Sequence, residues 1–216
     1  MEAGTPVLLD VTRDFDRQAT ALHGLRCALL THAHADACGG IPKLRRWWRE
    51  RADGPLTVYA SEETIAALRR RHRRLDGLEL VAVGPGERRT HEDLSVAPLT
   101  VPHAREPHYP TYAWRLHRAG TTLVYASDVA RLTGELERFS SGASALVVDG
   151  AMWGRVLFSH LTIDRELPRL CRWDVERILL TQIGRTAPPH DRLVRDVRSI
   201  CPRATPAHDG FELRLA

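Results

Sequence analysis

Lysine is nearly missing from this chain: Lys43 is the single one, so the other cationic side chains among 31 are all arginine. A bias so complete reads as the codon composition of a GC-rich genome, and a net charge of +4 over 216 residues marks no strongly basic binding protein. Long apolar runs are also missing. The longest (residues 6–9, 27–30, 143–148 and 178–180) are strand-sized, so no membrane association is expected. The first residues, Met1-Glu2-Ala3-Gly4, carry no basic stretch leading into an apolar one, and no secretory signal is expected. The four cysteines, Cys27, Cys38, Cys171 and Cys201, form no C-x-x-C pair; they read as reduced thiols of a cytoplasmic protein. No linker, low-complexity tract or repeat breaks the chain, so one domain over residues 1–216 is expected.

What is there is an alternation of short apolar runs with amphipathic segments. Strands are expected at 7–10, 28–31, 56–60, 78–83, 94–101, 112–116, 121–126, 145–149, 177–181 and 211–215. Helices are expected after Ile41-Pro42, after Ser61, and near 129–139, 163–171 and 191–201; Gly39-Gly40 reads as a tight turn and Arg118-Ala119-Gly120 as a hairpin. Hairpins mixed with crossovers imply α/β layers with mixed sheets. The cluster Arg69-Arg70-Arg71-His72-Arg73-Arg74 reads first as a solvated helix C-terminus. A nucleic-acid contact is the sharper reading, but no aromatic residue is interleaved for base stacking.

The chemistry lies in Thr31-His32-Ala33-His34-Ala35-Asp36-Ala37-Cys38-Gly39-Gly40. On an extended backbone, side chains at i, i+2 and i+4 share a side, so His32, His34 and Asp36 are expected to converge, with alanines between them. Two imidazoles and a carboxylate suit a borderline metal such as zinc. Cys38 is a conceivable further ligand, although a packing role beside the glycines is favoured. His108 and His190 fall in proline-flanked loops and read as surface. Trp47, Trp48, Trp114 and Trp173 read as core or half-core, whereas Trp153, flanked by Gly150 and Gly154, is a candidate substrate contact.

This segment resembles the metallo-β-lactamase superfamily signature T-H-x-H-x-D-H-x-G-G. Further segments resemble that family in order: Val101-Pro102-His103 its isolated histidine, Tyr125-Ala126-Ser127-Asp128 its strand-end aspartate, and Ser159-His160-Leu161-Thr162 the G-H-L-S of its phosphodiesterase branch. Leu179-Leu180-Thr181-Gln182-Ile183 resembles its L-L-T-H-I segment, and Ala207-His208-Asp209-Gly210-Phe211 the A-x-D-G-M ending. The chain is thus similar to the phosphoribosyl cyclic phosphodiesterase and transfer-RNA 3′-processing group. The resemblance implies a four-layer αβ/βα sandwich of two mixed sheets; six residues precede Val7 where the family has an extra strand pair, so either the sheet is shorter here or the recorded start is late. It also implies a first metal site of His32, His34, His103 and Asp128, and a second sharing Asp128 and including Asp36.

Two family histidines are replaced, by Ala37 and Gln182, both on the second metal. One tight Zn²⁺ is therefore expected, with a weak second ion, Mn²⁺ or Mg²⁺, held by oxygen donors and at best the Gln182 amide oxygen. The expected function is a metal-dependent, phosphodiesterase-like hydrolase acting on a small-molecule or nucleotide-like phosphoester. A water would be activated at the three-histidine zinc site, with Asp36 orienting it and His160 assisting the leaving group. The alternatives are a degenerate member that binds or regulates without turnover and, behind that, a mononuclear iron oxygenase.

Overall fold

The computed structural model describes residues 6–103 and 110–215, so His108 lies outside the described residues. The chain is α/β, with two sheets and helices, and its contacts gather into two compact units. The first takes residues 6–87 and 110–112 of the described chain, the second residues 88–103 and 113–215.

The first unit is built on four strands in spatial order β1 (Val7–Leu9), β2 (Cys27–Leu29), β3 (Leu56–Ala60) and β4 (Leu78–Ala82). Mixed pairing was expected of both sheets. Here every pairing is parallel, because helices cross between the later strands: α2 (Ala35–Cys38) and α3 (Ile41–Arg49), then α4 (Glu62–Arg71). A helical turn α1 (Phe15–Gln18) and a 3-10 turn lie between β1 and β2, a stretch without apolar periodicity. Pro42 sits at the start of α3, and the Ser61 hydroxyl caps α4 by accepting from the Thr64 amide at 3.0 Å. Val11, Phe15, Leu30, Ile41, Leu44, Val58 and Leu68 fill this core, with Trp47 and Trp48 half-buried at its edge.

The second unit carries a seven-stranded sheet in the order β11-β10-β9-β8-β7-β6-β5. These are β5 (Arg89–His91), β6 (Leu94–Val101), β7 (Thr111–Arg118), β8 (Thr121–Ala126), β9 (Ala143–Asp149), β10 (Val175–Thr181) and β11 (Ala204–Pro206). It is mixed, as expected: β5/β6 and β7/β8 are antiparallel, and β8 to β11 run parallel. The β7/β8 turn takes positive φ at Ala119 (49°) and Gly120 (81°), the handedness that matches strand twist. Helices α5 (Gly134–Ser140), α6 (Ile163–Leu170) and α7 (His190–Ile200) join the parallel strands. Trp114 and Trp173 are fully buried.

Three local expectations are corrected. The helix expected from 129 starts at Gly134, where the Thr133 hydroxyl accepts from the Leu136 amide. No strand forms at 211–215, because β11 already takes the place beside β10 and the chain turns away at Gly210 (φ 80°). His190 is the first residue of α7, not a loop residue.

Candidate metal centre

In the first unit, the argument from an extended backbone holds only as far as His34. His34 is extended (φ −71°, ψ 163°), and its carbonyl then accepts from the Ala37 and Cys38 amides, which wind residues 35–38 into α2. Asp36 therefore meets the histidines from the first turn of a helix. Its Oδ1 lies 3.7 Å from His32 Nε2, and the His32 and His34 rings stand 4.6 Å apart at 87°. The Asp36 side chain is 56% exposed and borders a cleft of about 420 Å³ with Thr12, Arg13 and Asp14.

The glycines after α2 form the expected turn, and they also serve close approach. Both have negative φ, and a Cβ would lie 2.3 Å from the Ala35 carbonyl oxygen at Gly39 and 2.1 Å from that of Thr12 at Gly40. Ala37 is buried, and its carbonyl accepts from the Val11 amide at 2.6 Å. Cys38 spends its thiol on the Ala33 and His34 carbonyls at 3.2 and 3.1 Å, and burial pushes its pKa up to about 11. A protonated, inward-turned thiol is a poor metal donor.

Two residues that sequence reading did not tie to the metal site position the histidines. Asp10 closes β1 in a left-handed conformation (φ 59°) and accepts from the Thr31 amide at 2.7 Å and the Thr31 hydroxyl at 3.0 Å. With its proton committed to Asp10, the Thr31 oxygen accepts from His32 Nδ1 at 2.9 Å, which puts the imidazole lone pair on Nε2. Arg71, the end of α4, turns its guanidinium to the Ala33 carbonyl between the two histidines. Part of the arginine cluster thus faces inward.

In the second unit, His103, Asp128 and His160 each offer a ligand atom, and these lie within 4.8 Å of one another. His103 Nδ1 donates to the Ser159 carbonyl at 2.8 Å, so its lone pair also sits on Nε2. His160 Nδ1 donates to Asp149 Oδ2 at 2.7 Å. Asp149, fully buried at the end of β9, accepts in addition from the Val129 amide at 3.1 Å and the Ala151 amide at 2.9 Å. Burial raises its pKa, and the His160 contact works against that rise. Asp149 too was missed, although β1, β8 and β9 share a legible signal: an apolar run that closes on an aspartate at or just beyond its end.

The two oxygens of Asp128 differ. Oδ2 accepts from Ser127 Oγ at 2.7 Å and from Gln182 Nε2 at 2.6 Å. Oδ1 is buried and, among the described residues, has no hydrogen-bond partner. A buried carboxylate oxygen left so is costly unless a cation meets it, and His103 and His160 each bring a ring nitrogen within 4.8 Å of an oxygen of this carboxylate, so this donor set fits a divalent metal. Gln182 turns its amide N–H₂ toward the carboxylate, so here it donates and does not offer its oxygen as a ligand. It holds this position in a left-handed conformation (φ 57°) just past β10.

Comparison with known proteins shows the family and the fold. A family model described as beta-lactamase superfamily domain matches residues 6–183. A diphosphatase from the PhnP family superposes with a TM-score of 0.84 at 22% identity, over 99% of this chain and 80% of its own. The short form of human tRNase Z superposes with a TM-score of 0.72 at 14% identity, over 100% of this chain and 91% of its own. The octanoyltransferase of Porphyromonas gingivalis (strain ATCC BAA-308 / W83) is 25% identical over 98% of this chain, which spans 42% of that relative's length. The resemblance read from the motifs is borne out at the level of family and fold. No helix among the described residues is long and apolar enough to cross a membrane.

Proposed function

Because this chain belongs to the beta-lactamase superfamily, we propose that it is a metal-dependent hydrolase of the phosphodiesterase type, with a small-molecule or nucleotide-like phosphoester as substrate and the cytoplasm as its location. His32, His34, His103 and Asp128 would hold one Zn²⁺. A second ion, Mn²⁺ or Mg²⁺, would be weakly held through oxygen donors including Asp36. The observation that carries the reading is the buried Oδ1 of Asp128, without a hydrogen-bond partner among the described residues, on a carboxylate clustered with His103 and His160. Bound zinc supplies Lewis acidity, which brings a water's pKa to about 7.

The remaining steps belong to the chain's own groups. The exposed Asp36 carboxylate accepts a hydrogen bond from the attacking water and aims it at phosphorus. In its imidazolium form, with the Nδ1 proton held on Asp149, His160 gives its Nε2 proton to the departing oxygen and is left as the neutral imidazole, a role that keeps it out of the zinc's ligand set. Asp149 is a positioning residue. The Gln182 amide occupies Asp128 Oδ2 with a hydrogen bond where the family places a second metal's histidine, which favours a single tight ion.

Elemental analysis paired with turnover of bis(p-nitrophenyl) phosphate tests this. The expected result is close to one zinc per chain, with metal retained and hydrolysis reduced about 10²–10⁴-fold in Asp36→Asn. Full turnover in that variant removes Asp36 as the orienting group. One bound zinc without turnover of any phosphoester favours the binding or regulatory alternative.

A further inference from the structure

Beyond the metal-binding groups, the second unit holds a cleft of about 540 Å³ lined by Trp153, Gly154, Arg155, Arg185 and Thr186. Its size is that of a small-ligand site. Two guanidiniums border it, and among the described residues neither Arg155 nor Arg185 has an ion-pair partner, whereas other arginines of this unit, such as Arg118 with Asp93, do. Asp164, the carboxylate placed near the cleft by its contact to Gly154, is occupied in accepting that amide at 2.8 Å.

The walls are fixed to each other. The Gly150 amide donates to the Thr181 carbonyl at 2.8 Å, and the Trp153 amide to Thr186 Oγ1 at 3.0 Å. At Gly184 a Cβ would lie 2.2 Å from the Ala151 carbonyl oxygen, so the two loops touch backbone to backbone. Trp153 is half-buried and leans on the core of the unit, which holds its indole still. The cleft is built on the loops that leave β9 and β10, directly after Asp149 and Gln182.

We propose that this cleft is a nucleotide subsite: Arg155 and Arg185 take a phosphate group, and the Trp153 indole stacks on the base. Guanidiniums match phosphate oxygens with paired donors, and a fixed indole offers a planar apolar face that tolerates any base. The inference rests on the phosphoester reading above and gives it a substrate class, a phosphodiester with a nucleoside part anchored in this cleft.

Isothermal titration of the purified, metal-loaded protein with adenosine 5′-monophosphate, inorganic phosphate and adenosine tests it, with each titration repeated after chelation. The nucleotide should bind at least tenfold more tightly than either fragment, and its affinity should survive chelation. Arg155→Ala and Arg185→Ala should each weaken nucleotide binding tenfold or more, while Trp153→Leu should weaken the nucleotide but leave phosphate unchanged. Unchanged affinity in the double arginine variant, loss of binding on chelation, or no binding at millimolar nucleotide would each overturn the subsite. Turnover of bis(p-nitrophenyl) phosphate, measured alongside, separates the two readings: hydrolysis without nucleotide binding sinks the cleft assignment alone.

Discussion

Single side chains decide this protein's chemistry, and most of the donors were legible because chemistry needs particular residue types at short spacing. His32, His34 and Asp36 stand out within five residues. Their supports did not, because Asp10, Arg71 and Asp149 act through contacts between residues 21, 38 and 11 positions apart. Asp149 gives the sharpest residue-level prediction. If its carboxylate fixes the His160 proton, Asp149→Asn should repeat the pattern of His160→Ala: rates on esters with poor leaving groups fall about 10–100-fold, and activated esters suffer less. Leaving-group series for both variants check this, and equal losses across the series argue against leaving-group protonation. Ala37→His with Gln182→His should raise zinc content from one toward two, read by elemental analysis; an unchanged content shows that the two missing histidines are not what limits the second ion.

At the scale of elements, those with strong local signals sit where the sequence puts them. The β7/β8 hairpin announces itself through Ala119-Gly120, and α6 and α7 through their apolar stripes. The misses are short. α2 is a single turn, β11 has three residues, and both are specified by neighbours and not by period. Close backbone approach leaves a different trace, a glycine whose negative or unremarkable φ gives no hint of why it is there. Gly184→Ala should therefore cost about 1–3 kcal/mol of stability, since the Ala151 carbonyl must move. Gly54→Ala, with nothing within 4 Å of the added Cβ, should stay within about 0.5 kcal/mol of the parent. Urea titrations of the two variants make the comparison, and similar costs would show that the loop yields. Thr133→Ala should remove a helix cap worth about 1 kcal/mol, read as a lower thermal midpoint.

Over the whole molecule, fold and family were readable because the motifs recur in order along nearly the full chain, most of them at a strand end and the Ser159-His160-Leu161-Thr162 segment at the start of α6. Buried titrating groups were less visible. Cys201, at the end of α7, is raised to about 11, first by burial and then by Cys171 beside it. Because its folded pKa lies above the ordinary value of 9.0, its contribution to stability is complete below about pH 9 and lost as pH climbs toward 11. Urea midpoints should thus fall between pH 8 and 10.5, and by less in Cys201→Ala; an equal fall in both would exonerate the thiol. The seven-stranded sheet carries a further consequence at its margins. Its outer strands, β5 and β11, are three residues long; one opens on Arg89 and the other closes on Pro206, which has no amide proton to offer. A fibril grows by laying new strands along a long, regular edge, and these stubs supply too few backbone groups to template one. Crowding should therefore not recruit new strands onto the outer strands of this sheet while it stays folded.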